Sequence, residues 1–128
     1  MNRYMTVGLS ILAGTTLGAV AIQTLHAQAK PLAYVVAEIT IKDQDGYTKE
    51  YLPLITKSIQ ESGGKFLARG GQTISFVGDP PAKRVVVLQF DSLDKAKAWG
   101  DSKDYKDAQA IGAKMATIRN YAVEGVSP

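Results

Sequence analysis

From Ala33 to Ile41 the side chains alternate. Val35, Ala37, Ile39 and Ile41 fall on one side of an extended chain, and Tyr34, Val36, Glu38 and Thr40 on the other. This predicts a first strand whose purely apolar side lies under helices and whose mixed side suits an interface or a pocket. After Lys42 the period changes. Tyr47, Tyr51, Leu54, Ile55 and Ile59 recur at intervals of three and four, so a helix is expected from the acidic opening Lys42-Asp43-Gln44-Asp45 to about Ser62. Pro53 predicts a kink or break near Leu52, and Gly63-Gly64 a stop with a left-handed cap. A second strand follows at Lys65 to Arg69. Gly70-Gly71 predicts a bulge or a close backbone approach, after which Gln72 to Val77 continues the alternation. Gly78-Asp79-Pro80-Pro81 is a turn by composition.

Arg84 to Ser92 is the centre of the pattern. Val85 to Leu88 are all large and apolar, and Phe90 follows after a single Gln89, which suits a central strand covered on both faces. Ser92 is placed to cap the next helix, with Asp94 in its first turn and Ala96 and Trp99 inward. Gly100-Asp101-Ser102 interrupts it, and Ser102 caps a continuation through Tyr105, Ala108, Ile111, Gly112 and Met115. Thr117 to Glu124 is the last strand, ended by Gly125. The order β-α-β-β-α-β predicts an α+β, ferredoxin-like protomer: a four-stranded antiparallel sheet with two helices on one face. The other face would carry Tyr34, Val36, Glu38, Leu67, Arg69, Val85, Val87 and Gln89. That surface is too apolar to stay wet, so sheet-to-sheet homodimerisation is expected.

The first 29 residues read differently. Met1-Asn2-Arg3, the apolar run Met5 to Ile22 and the closing Ala27-Gln28-Ala29 have the charged, hydrophobic and small-residue order of a secretory signal. Cleavage is expected after Ala29, leaving a domain over 30–128 that is periplasmic or secreted, with no stable membrane association. A cut after Ala27 would put Leu25 at the third position back, a poorer fit. The alternative is an uncleaved anchor, against which stand Gly8, Gly14 and Gly18, several threonines, and the lack of a following basic cluster.

Loss of the leader changes the available chemistry. The chain has no cysteine, and its single histidine, His26, leaves with the leader, as does Arg3, which lowers the formal charge from +3 to +2. A Ser-His-Asp or Cys-His site, a disulfide framework, a histidine metal cage and a histidine-ligated haem are thereby excluded. Lysines and arginines alternate with acids, as in Lys103-Asp104-Tyr105-Lys106-Asp107, which makes a mixed solvated surface and no nucleic-acid groove. The acids are scattered, so no metal site is expected, and no cofactor is called for.

Among the remaining polar residues, strand parity places Glu38 and Arg69 on the open face, with Gln89 on a neighbouring strand. Such a group could orient a polar ligand, with Glu38 as a candidate general base, or it could be a structural ion pair at the dimer interface. Tyr51, Trp99 and Tyr105 could wall a pocket between helix and sheet or simply fill the core. Arg84 reads as a solvated strand end or a partner of Asp79. Gly70-Gly71 lacks the G-x-x-x-x-G-K context of a phosphate cradle.

Several of these stretches together, Phe66 to Gly71, Pro81 to Ser92, and Trp99 with Ser102 and Tyr105, resemble the DUF1330 family over about Ala33 to Gly125. The resemblance implies membership of the dimeric α+β barrel superfamily and an uncharacterised role. Gln89 stands where members often carry Glu, and the leader is a further variation. Related barrels include haem-degrading and cofactor-free monooxygenases, of which the histidine-dependent branch does not suit this chain. Three functions follow as expectations: binding of a small, partly apolar molecule in a barrel cavity lined by Glu38, Arg69, Gln89 and nearby aromatics; a cofactor-independent oxygenase or isomerase using Glu38 or a tyrosine; and a structural dimer without a ligand.

Overall fold

The computed structural model describes residues 30–128, and the leader reading falls outside them. Four strands form one antiparallel sheet in the order β2-β3-β1-β4, with β1 at Ala33–Ile41, β2 at Lys65–Arg69, β3 at Arg84–Phe90 and β4 at Ala116–Glu124. Three helices lie on one face: α1 at Leu52–Glu61, α2 at Leu93–Asp101 and α3 at Lys103–Gly112. This is the expected ferredoxin-like α+β arrangement, with β3 and β1 central. The core lies between the layers. Val35 and Ile39 of β1 and Val86, Leu88 and Phe90 of β3 are buried against Ile55, Ile59, Ala96, Trp99 and Ala108.

The caps act as the sequence implies. Ser92 Oγ accepts from the Lys95 amide at 3.2 Å, and Ser102 Oγ accepts from the Tyr105 amide at 3.2 Å while donating to the Trp99 carbonyl at 2.6 Å. One hydroxyl thus ends α2 and begins α3. Gly63, at φ +80°, supplies the left-handed stop after α1.

Three expectations change. The helix does not break at Pro53. A short turn at Gln44–Gly46, capped by Asp43, runs into a π-helical turn at Tyr47–Tyr51, in which the Leu52 amide donates to the Tyr47 carbonyl. Proline then occupies the first turn of α1, where its missing N–H forfeits no bond. Tyr47, Tyr51, Ile55 and Ile59 all stay on the buried side, while Leu54 is turned out.

The second change is that Gln72 to Val77 form no strand. Gly70, at φ +70°, turns the chain away from the sheet, and the segment pairs with none of the four strands. The chain from 70 to 83 is an exposed loop whose return is tied to the sheet by the Ala82 amide, which donates to Glu38 Oε1 at 3.1 Å. Third, the bulge lies at Leu67 instead of Gly70-Gly71. Phe66 pairs with Leu88 and Ala68 with Val87, leaving Leu67 as the extra residue.

Candidate functional site

Side-chain direction along a strand has a period of two, so one inserted residue moves everything beyond it to the other face. The Leu67 bulge does this to Arg69. Opposite Val86 in the register, Arg69 faces the helices and not Glu38. It lies at the edge of a cavity of about 40 Å³ between α1 and the sheet, walled by Ile55, Ile59, Leu88 and Trp99. Its guanidinium sits 4.2 Å over the Phe66 ring, and Nη2 approaches Thr56 Oγ1 at 3.4 Å.

A second arginine enters the same cavity from β3. Arg84 pairs with Ile39 and shares the parity of Val86 and Leu88, so its side chain runs under the helix layer, 5.8 Å from the Tyr47 ring centre. It makes no ion pair with Asp79, and its Nε is buried without any hydrogen-bond partner. A buried N–H without an acceptor costs on the order of 1–3 kcal/mol. Gly70 makes room for this side chain: a Cβ there would come within 2.4 Å of Arg84 Nη1. Among the described residues, no Asp or Glu lines the cavity, and no carboxylate lies within ion-pair distance of either arginine.

Tyr47 and Tyr51, their rings 5.1 Å apart, and Asn120 also line the cavity. Burial, reinforced by neighbouring Tyr47 and Tyr105, pushes the Tyr51 phenol well above its ordinary pKa. It therefore stays a neutral phenol, which weighs against Tyr51 as a proton acceptor. Gly112 leaves space for its ring, since a Cβ there would lie 2.6 Å from Tyr51 Cε2. Trp99 is fixed as a wall. Its Nε1 donates to Ser58 Oγ at 3.1 Å, Ser58 donates to the Ile55 carbonyl at 2.8 Å, and Tyr105 stacks edge-on behind at 4.5 Å. Tyr105 in turn accepts from Asn120 Nδ2 at 3.0 Å, which holds it to β4.

The predicted constellation is thus divided between the two faces of the sheet. Tyr51, Trp99 and Arg69 line the helix-side cavity, with Tyr105 behind Trp99. Glu38 and Gln89 share the opposite face but do not meet: Glu38 pairs with Val85 and Gln89 with Tyr34, four positions and about 13 Å apart along the strands. Glu38 holds the Ala82 amide, and its Oε2 lies 3.6 Å from Arg119 Nη1 on β4. Sequence reasoning missed Arg84 and Tyr47 as lining residues. Arg84 was legible from its parity with Val86 and Leu88, and Tyr47 from the same stripe as Tyr51.

A model of the domain of unknown function DUF1330 matches residues 32–126. The chain belongs to the DUF1330 family. The family carries no assigned activity, so membership leaves the role of the cavity to its chemistry. No curated protein matches the chain. Among solved structures, a protein of unknown function from Rhodopseudomonas palustris superimposes with a TM-score of 0.59 at 12% identity, covering 84% of this chain and 93% of that one. A cofactor-independent oxygenase from Streptomyces nogalater gives 0.49 at 9% identity over 77% and 96% of the two chains. A dimeric ferredoxin-like protein of unknown function from Thermobifida fusca gives 0.42 at 20% identity over 73% and 92%. At these identities the likeness extends to the fold alone.

Proposed function

We propose that this DUF1330 protein is exported, assembles as a homodimer through the open face of its sheet, and binds a small molecule in the helix-side cavity of each protomer. The observation that carries the binding reading is the pair of arginines, Arg84 and Arg69, lining a cavity with largely apolar walls that no acid shares. An enclosure with a few convergent polar groups is the usual form of a ligand site. Dimerisation is supported by the apolar content of the open face. Val36, Val85 and Val87 remain partly exposed there, beside Leu67, Tyr121 and Val123, each about half exposed. The loop adds Ile74, Phe76 and Val77, which are almost wholly exposed in a single protomer. Export rests on the charged, apolar and small-residue order of residues 1–29.

Binding is tested by thermal-shift measurements on the purified protein against a panel of small metabolites, because a ligand that binds only the folded state raises its melting temperature. At least one compound should give a saturable rise, and Trp99→Phe, which reshapes the wall, should alter it. A panel without any saturable rise would remove the ligand-binding reading and leave a structural dimer.

A further inference from the structure

We infer that the ligand of the helix-side cavity is a small organic monocarboxylate, its carboxylate held by Arg84 and Arg69 and its apolar body lying against Ile55, Ile59, Leu88 and Trp99. This rests on the binding reading above and adds the chemical class. Four observations lead to it. Two guanidinium groups reach one cavity that no acid lines, so the positive charge there is uncompensated by the protein. Both arginines line the cavity, and a guanidinium fork presents paired N–H groups at the spacing of carboxylate oxygens. Apart from Thr56 and Asn120 the remaining wall is aliphatic and aromatic, which favours an apolar body over a sugar or a bare inorganic ion. A volume of about 40 Å³, room for about three waters, limits the ligand to a short-chain acid and excludes a nucleotide or a sugar phosphate.

Charge compensation also limits the ligand to an anion that sheds its hydration readily. A carboxylate on an apolar stem does so more easily than phosphate, whose second charge would have to be desolvated in the same enclosure. The neutral Tyr51 phenol adds no competing negative charge.

The test pairs acids with their uncharged counterparts. Acetate and propionate are titrated by calorimetry and thermal shift beside acetamide and propionamide, with inorganic phosphate and chloride at matched ionic strength. At least one acid should bind saturably while its amide does not. Binding should hold through neutral pH and fall below about pH 4–5, where the acid itself becomes protonated. Arg84→Gln should weaken the acid by about tenfold to a hundredfold, the loss expected for a charge-assisted pair. Arg84→Lys should fall between, keeping the charge but losing the fork. Amides that bind as well as acids, or acid affinity unchanged in a folded Arg84→Gln protein, would overturn the carboxylate assignment while leaving a ligand-binding cavity. Phosphate binding in place of the acids would do the same. If Arg84→Gln does not fold, Arg84→Lys and the acid–amide comparison on the unaltered protein decide. Silence from all compounds, with a silent metabolite panel, removes the binding reading itself.

Discussion

Two residues with ionisable side chains, Arg84 and Tyr51, show how placement in the fold sets chemistry that residue type alone does not. An arginine at the start of a strand is usually solvated, but Arg84 shares the helix-facing parity of Val86, Leu88 and Phe90, and burial leaves its Nε without a partner. Tyr51 is 4% exposed, and burial raises its pKa above that of the unfolded chain. A raised folded-state value means that the contribution to stability is intact below the unfolded phenol's pKa of about 10 and is lost as pH rises beyond it. Urea midpoints should therefore stay level between neutral pH and about pH 9 and fall above pH 10. Tyr51→Phe should flatten that fall, and an unchanged alkaline slope in the variant would assign the loss to other tyrosines.

At the scale of elements, local signals specified most boundaries because each acts over a single turn. Ser92 and Ser102 fix the starts of α2 and α3 by accepting amide hydrogens three residues on, and Gly63 ends α1. Ser102 serves two helices at once, so Ser102→Ala should cost about 1–2 kcal/mol, at the upper end for a cap, and should lower the urea midpoint without changing the slope. Elements misread from the sequence were those whose form depends on a neighbour. Gln72 to Val77 alternate as a strand does, yet Gly70 turns the chain off the sheet before them, and they pair with none of the four strands. Pro53 is compatible with either a kink or a break, and the preceding turn decides between them. A five-residue π turn absorbs the misfit and lets the helix continue.

For the molecule as a whole, the layered arrangement leaves the open side of the sheet carrying Val36, Val85, Val87, Tyr121 and Val123, and the proposed dimer covers it. Val87 lies on central β3 opposite Val36. The exported protein should begin at Lys30 by intact mass and sediment as a dimer at micromolar concentration. Val87→Lys should shift it to a folded monomer by placing an unpaired charge in that contact. A protein that sediments as a monomer without the substitution would remove the dimer.

The alternation and helical periods over residues 33–124, together with capping serines and glycines, determined the order of elements and hence the ferredoxin-like fold, because these signals are local and mutually consistent. Composition determined that the chain beyond residue 29 holds neither His nor Cys. Only the tertiary structure decided which polar groups meet. The extra residue at Leu67 turns Arg69 from Glu38's face to the cavity, where it joins Arg84, and Glu38 is left to hold the loop. A one-residue shift in strand pairing has no local signature. It is set by how β2 packs against β3, and that is why the fold could be read in advance while the site could not.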